Sequence, residues 1–391
     1  MANTLTSLTP TLYEALDIVS REMVGYIPAV SRNSSAERAA LNQSILVPLT
    51  TPGTPGDNTP AVTAPNTGDQ TVDNVSMTID KSKHIPIRWN GEEQRGLINA
   101  GSYNGILLNQ FVQGFRSLVN LIEVDLHTTV YTSASRAYGT AGTAPFGTAD
   151  DLSDVAELAK ILDDNGAPVS DRQFVAGSAA MAKLRGKQSV LFKANEAGTD
   201  ELLRNGVLGR LEGFDVHNSA AVVQHVKGAA SGQLINGAEA IGQTTLTLDT
   251  ITVNTTGIKA GDIVTHASDS ANKYVVNTGL VATSGNIVIG APGLLVAAAD
   301  NDAVAIGNSY TPNTGFSRSA VQLITRAPAM PIGPDGRAMD MADDTMMITD
   351  PVSGITFEIA VYRQFMQLVY HVRLAWGAKA IKSAHIATLI G

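Results

Sequence analysis

Between Asn104 and Tyr138, apolar side chains recur at three- and four-residue steps: Leu108, Phe111, Val112, Phe115, Leu118, Val119, Ile122, Leu126 and Val130. The period predicts one amphipathic helix, which at 1.5 Å of rise per residue would reach ~50 Å. Gly114 weakens its middle slightly, and the glycine-rich run from Gly139 to Gly147 ends it. A stripe this long must lie against something comparably long. One segment qualifies, and it closes the chain. Ile355, Phe357, Ile359 and Val361 alternate with polar or small residues; after a turn at Tyr362 to Gln364, so do Met366, Leu368, Tyr370, Val372, Leu374 and Trp376. That is a long antiparallel hairpin with one buried face. Phe111, Phe115, Leu118 and Ile122 of the helix are therefore expected to share a core with Leu368, Tyr370, Val372 and Trp376 of the hairpin, in an α+β fold.

With 391 residues, 44% of them hydrophobic, the chain exceeds one ordinary core and suits two or three packed units. Thr9 to Val24 carries Leu12, Leu16, Val19 and Met23 at helical spacing after Thr9 and Pro10, a short amphipathic helix on an N-terminal arm. Ile45 to Leu49 reads as a strand. Thr50 to Asp80 is rich in Thr, Pro, Gly, Asn and Asp, and Pro52, Pro55, Pro60 and Pro65 forbid a helix there. Alternation resumes at Val75, Met77 and Ile79 and again at Ile85, Ile87 and Trp89, so the loop returns as the second strand of a long flap. Its charge is split between tip and root. No Lys or Arg stands between Arg38 and Lys81; Asp57, Asp69 and Asp73 lie toward the tip, and Lys81, Lys83 and Arg88 at the root. These six are the flap's candidate contact residues.

Beyond the long helix, Leu152 to Leu162 predicts a second helix stopped by Asn165 and Gly166, Gln173 to Ala176 a strand, and Ser178 the start of a third helix. They belong to a mixed α/β lobe running to about His225. Val226 to Tyr310 shifts to Thr, Val, Ile, Gly and Ala with no helical period, a small all-β module inserted into that lobe. Ala320 to Arg326 then resumes as a strand of the lobe.

Little in the chain can do chemistry. It has no cysteine, which removes disulfides, thiolate metal sites and cysteine nucleophiles together. A formal charge of −9 argues against gripping nucleic acid over a whole face. No stretch of ~18 apolar residues occurs to span a membrane, and Met1 to Leu12 lacks the basic and apolar regions of a secretory signal. The seven histidines include no pair at helical i, i+4 spacing with a neighbouring carboxylate. Asp215 and His217 alternate on one strand face, where a solvated turn is the simpler reading. Gly206, Gly209 and Gly213 lack the lysine of a phosphate loop, and Gly177 with Ser178 lacks the second glycine of a nucleophile elbow. No metal, cofactor or catalytic set emerges.

The order of these pieces resembles the coat proteins of tailed bacteriophages with the Hong Kong 97-type fold, particularly the short-tailed enterobacterial branch with an inserted β domain. Glu212 to Ser219 is similar to that family's G-F-x-V-x-x-S strand, and Gly257 to Val264, GIKAGDIV, to the turn and strand of its insert. Phe316 to Leu323, Asp350 to Ile355 and Trp376 to Gly391, WGAKAIKSAHIATLIG, resemble its closing pattern. The resemblance implies an N-terminal arm at 1–44, an E-loop flap at 45–95, the spine helix of a P-domain at 96–140 and an A-domain at 141–225 and 312–345. The inserted β domain would then span 226–311 and the terminal hairpin of the P-domain 346–391. It further implies a major capsid protein, not an enzyme, that forms pentamers and hexamers of an icosahedral head. Scaffolding protein and portal are the implied partners, with double-stranded DNA enclosed without specific binding, no membrane, and assembly in the host cytoplasm. No long N-terminal extension of the kind some members use as a built-in scaffold is expected. Two rivals stand beside this reading: a nanocompartment (encapsulin-like) shell around protein cargo, and an enzyme with an inserted β domain.

Some relatives weld subunits by an isopeptide bond from a flap lysine to an asparagine of a neighbour. From Ala39 to Asp80 there is no lysine to supply that amine, so assembled particles boiled in detergent should run as a single monomer band; covalent ladders would contradict this.

Overall fold

The computed structural model describes residues 8–20, 25–49, 55, 57–58, 60, 73–99, 101, 103–187, 208–334, 339–350 and 353–391. The chain enters through α1 (Thr9–Ser20) and the single turn α2 (Tyr26–Ala29). Leu12, Ala15, Leu16 and Val19 of α1 are buried in the main core, whereas Met23 lies outside the described residues. Next come β1 (Ser31–Ala39), then β2 (Ser44–Leu49) and β3 (Asp73–Thr78), which pair only with each other, β4 (Lys81–Asn90) and α3 (Gly91–Asn99). The long helix, α4 (Tyr103–Thr132), ends earlier than its apolar period suggests. Its last turns are rich in threonine, and the hydroxyls of Thr128 and Thr132 bond back to the carbonyls of Val124 and Thr128 at 2.9 and 2.6 Å. Residues expected to prolong it form β5 (Arg136–Gly139) instead.

The second lobe continues with α5 (Ser153–Asp164), β6 (Arg172–Ala176), α6 (Ser178–Lys187), β7 (Arg210–Leu211) and β8 (Phe214–Asn218). Gly166, at φ 70°, closes α5 as a left-handed cap, with the Ala167 amide bonded to the Leu162 carbonyl. The all-β stretch holds β9 (Leu234–Ile235), β10 (Thr245–Asp249), β11 (Ile263–His266), β12 (Asp269–Thr278), β13 (Gly285–Ile289) and β14 (Val304–Ile306). The chain closes with β15 (Pro312–Ser317), β16 (Val321–Pro328), β17 (Asp344–Thr349), β18 (Thr356–Gln364), β19 (Gln367–Ala380) and β20 (Ile386–Ile390). The fold is thus mixed α+β, as expected.

Two large sheets organise these strands. The six-stranded sheet runs β1-β16-β19-β18-β17, with β4 also on β19. The twelve-stranded sheet runs β7-β8-β6-β15-β20-β5-β12-β13-β10-β9, with β11 and β14 attached through β12. Several expectations change. Strand β4 pairs with β19 from Lys81 opposite Trp376 to Asn90 opposite Gln367, so it belongs to the sheet under the helix and not to the flap. Ile87 and Trp89 join the helix-facing core, which outweighs their closeness in sequence to the flap. Strand β16 sits in the first sheet and β20 in the second, so 312–345 and 346–391 each divide between sheets. The β18–β19 turn is Phe365 and Met366, because Gln364 and Gln367 still pair. Strand β1 has no apolar alternation and was not expected at all.

The all-β stretch has its own core of Ile235, Leu246, Leu248, Val276, Ile287 and Ile289. Its ends meet, with the Lys227 amide on Ser309 Oγ at 3.2 Å. Yet β12 is laddered onto β5, Lys273 opposite Ala137, and a Cβ on Gly290 would stand 2.4 Å from the Ala134 carbonyl oxygen. The stretch is fused to the second sheet along one edge.

Along α4, Phe115 meets Phe357 edge to face at 5.0 Å between centroids, and Phe111 meets Tyr370 at 5.5 Å. Such aromatic pairs add ~0.5–1.5 kcal/mol each beyond area burial. Phe115→Ala should therefore cost ~3–5 kcal/mol in chemical denaturation of the protein, while Leu121→Ala, on the exposed side of the same helix, should stay within ~1 kcal/mol.

Candidate functional site

All eight expected core residues fall at the helix–sheet interface. Phe111, Phe115, Leu118, Ile122, Tyr370, Val372 and Trp376 are buried, and Leu368 packs at the margin. Of the six charged residues of the flap, the four whose side chains are described are not gathered in this way. Asp57 is exposed; Asp69 and the Asp73 side chain lie outside what is described. Lys81 pairs with Asp125 of α4, whose other oxygen accepts from Trp376 Nε1 at 2.8 Å. It therefore bolts the flap's root to the helix. Lys83 and Arg88 are exposed on opposite faces of β4, since one stands opposite Leu374 and the other opposite Val369. A period of two separates them, so the root presents no single basic patch.

The flap's root lies directly on β19. A Cβ on Gly377 would sit 2.1 Å from the Thr78 carbonyl oxygen, a clash with backbone that only glycine avoids. Lys379 Nζ donates to the Ser76 carbonyl at 2.8 Å, and Met77 and Ile79 are buried against Ile324 and Ala375. Ile45 and Val47 pack half-buried against this root, and Leu46 is exposed.

A buried polar latch lies where the arm, α4 and the second lobe meet. Glu123 accepts from the amides of Tyr26 and Ile27 at 3.0 and 2.8 Å and from Ser219 Oγ at 2.9 Å. Its carboxylate thereby satisfies the first amides of α2. Burial pushes the Glu123 carboxyl above its usual range, opposed by those three donors. One turn on, His127 Nδ1 lies 2.9 Å from Tyr26 Oη, which is also 3.0 Å from Thr314 Oγ1. Burial lowers His127 to about 4 and raises the Tyr26 phenol. The sequence carried one signal for this latch: Glu123 and His127 stand in phase with the apolar stripe, beside Val119, Ile122, Leu126 and Val130.

A second junction ties the all-β stretch to the end of α4. Asp262 Oδ1 lies 2.8 Å from His225 Nε2, and Tyr131 Oη 3.3 Å from His225 Nδ1. Four of the other histidines have side-chain neighbours too. His217 shares Gln173 with Asp215, His266 faces Asp302 at 3.4 Å, and the rings of His84 and His371 stack at 4.7 Å.

Among the described residues, no three His, Asp or Glu side chains converge to hold a metal ion. The cleft between β4 and α4, about 450 Å³, is lined by aliphatic groups and amides with Arg88 as its one charge. The cleft of about 240 Å³ at Gly177 and Ser178 contains no histidine or carboxylate side chain, and Asn313 Oδ1 there accepts from the Gly177 amide at 2.9 Å. No described helix is long and apolar enough to cross a membrane.

No family model and no curated protein matches the chain. Solved structures do. The capsid of the cyanophage P-SCSP1u is 9% identical, covering 93% of this chain and 86% of its own, with a TM-score of 0.48. A structure from Mycobacterium phage Che8 is 13% identical over 89% and 84%, at 0.44. A virus-like particle from Pyrococcus furiosus is 9% identical over 97% of both chains, at 0.42. Similarity at this level bears on neither activity nor partners.

The latch makes stability depend on pH. With His127 lowered to about 4 from an ordinary ~6.5, the unfolded chain binds a proton in that window that the folded chain does not. Stability should fall as pH drops from ~6.5 to ~4, by ~3 kcal/mol at full extent from this group. Glu123, raised by burial, acts in the opposite sense. His127→Asn keeps an acceptor for Tyr26 without titrating, so denaturation of the two proteins across pH should show wild type losing stability relative to the variant on acidification. Parallel profiles would contradict the assignment.

Proposed function

We propose that this chain is the major capsid protein of a tailed bacteriophage, a shell subunit of the Hong Kong 97-type with an inserted β domain. The observation that carries this reading is the β2–β3 ribbon: two strands, paired with no third, anchored at their root, with Ile45 and Val47 only half-buried and Leu46 exposed. A two-stranded ribbon is marginal alone in water, so a neighbour must cover it. The long helix points the same way. Every exposed residue of α4 is uncharged, Asn109, Gln113, Ser117, Asn120, Leu121 and Val124 among them, although charged residues make up ~25% of ordinary soluble domains. A surface that spends its life against other subunits tolerates this.

In this reading α4 and the first sheet form the rigid plate of a P-domain, the second sheet an A-domain, and the ribbon an E-loop laid over an adjacent subunit. Pentamers and hexamers close into an icosahedral head within the host cytoplasm, with a scaffolding protein and a portal as partners. Packaged DNA is enclosed without specific binding, and the subunit has no catalytic role. Electron microscopy of the expressed protein, alone and with its genomic neighbours, should show uniform closed particles; a chain that remains monomeric in every combination would overturn the proposal.

A further inference from the structure

Five Asn-Gly pairs occur in the chain, at Asn90, Asn104, Asn165, Asn205 and Asn236. In such a pair the glycine nitrogen can attack the asparagine side-chain amide, because no Cβ crowds the five-membered ring that forms. Folding decides which pair is able to, since the side chain must be free to swing onto the next nitrogen. Asn90 is engaged, its Oδ1 accepting from the Glu93 amide at 2.7 Å at the start of α3. Asn165 is held on three sides: it donates to Ser135 Oγ and the Ala384 carbonyl at 3.1 and 2.7 Å and accepts from Arg136 at 3.0 Å. Asn104 has helical backbone in the first turn of α4, which ring closure would have to unwind. Asn205 lies outside the described residues.

Asn236 differs from these. It stands exposed between β9 and β10, and its side chain makes no hydrogen bond to another described residue. Gly237 adopts φ 84°, and nothing lies within 4 Å of where a Cβ would stand, so a ring has open space to form. The Gly237 N–H donates to Asp300 Oδ1 at 2.8 Å. A carboxylate is thus already bonded to the proton that the attacking nitrogen must lose, within the reach a general base requires. Its other oxygen accepts from Asn301 Nδ2 at 2.9 Å. The two segments are sewn together beside this contact, the Ile235 amide on the Asp302 carbonyl and the Asn301 amide on the Ile235 carbonyl, each at 2.9 Å.

We propose that Asn236 is a self-modification site, deamidating in the folded protein with Asp300 as the proton acceptor. Asp300 takes the proton from the Gly237 nitrogen, that nitrogen bonds to Asn236 Cγ, and the Cγ–Nδ2 bond breaks, the proton leaving with ammonia. Water then opens the cyclic imide at either carbonyl and leaves aspartate or isoaspartate. Water is consumed and ammonia released, with no oxidant or cofactor. The product sets a new carboxylate next to Asp300, and the isoaspartyl form also lengthens the main chain beside buried Ile235. Both changes loosen the seam between the two segments with time. Nothing in this chemistry depends on assembly. The test holds the purified protein warm at neutral pH and maps its peptides by mass spectrometry, reading a gain of about 1 Da at each site. In the folded protein Asn236 should convert about tenfold or more faster than Asn90, Asn104 and Asn165, whereas in urea the four should convert at comparable rates. Asp300→Asn and Asp300→Ser, each checked by its thermal melt, should slow conversion at Asn236 about tenfold. Conversion at Asn236 no faster than at the other three in the folded protein overturns the site, and conversion undiminished in both Asp300 variants overturns the role of Asp300.

Discussion

Phe111 and Phe115 of α4 meet Tyr370 and Phe357 across the space between helix and sheet, and most of the molecule is positioned from that contact. Strand β19 is shared: β4 runs along one side of it, while β18 and β16 lie end to end on the other. Asp125 fixes helix to sheet twice, through Trp376 and Lys81. Glu123, on the same helix, holds α2 and Ser219. A single rigid body of helix on sheet thereby sets where the arm, the ribbon and the second lobe begin.

That body is nearly self-sufficient; its appendages are not. The β2–β3 ribbon has a buried root and a wet outer part, and every exposed residue of α4 is uncharged. Apolar and uncharged surface of this kind costs solubility in a solitary protein. In the proposed shell it would become interior to the assembly, and the same features would turn from liabilities into contacts. Buried polar residues play a different part: the Glu123–His127–Tyr26 latch and the Tyr131–His225–Asp262 junction join segments far apart in sequence.

The helix and hairpin were legible because both carry long, regular apolar periods, and each period demanded the other. Strand β1, SRNSSAERA, has none. It is held by parallel backbone pairing to β16 and by polar contacts, Arg326 on Asn33, Thr325 on Ser34 and Arg38 on Glu358, which leave no hydrophobic trace. Strand β4 was visible as a strand, but alternation does not say which sheet a strand joins. Its place on β19 follows from Ile87 and Trp89 facing α4. The aspartates and lysines of the flap drew attention by charge alone, and charge said nothing of Lys81 being committed to Asp125. Glu123 and His127 were hidden for the opposite reason: they lie in phase with an apolar stripe, and periodicity alone does not tell a buried polar anchor from a core position.

Amide hydrogen exchange, compared between the free subunit and the proposed particles, tests most directly the division into a self-sufficient plate and dependent appendages. The account predicts slow exchange of α4, β18 and β19 in both states, with β2 and β3 exchanging fast in the free subunit and slowing on assembly. A ribbon already as protected as the plate in the free subunit, or one left unchanged by assembly, would contradict it.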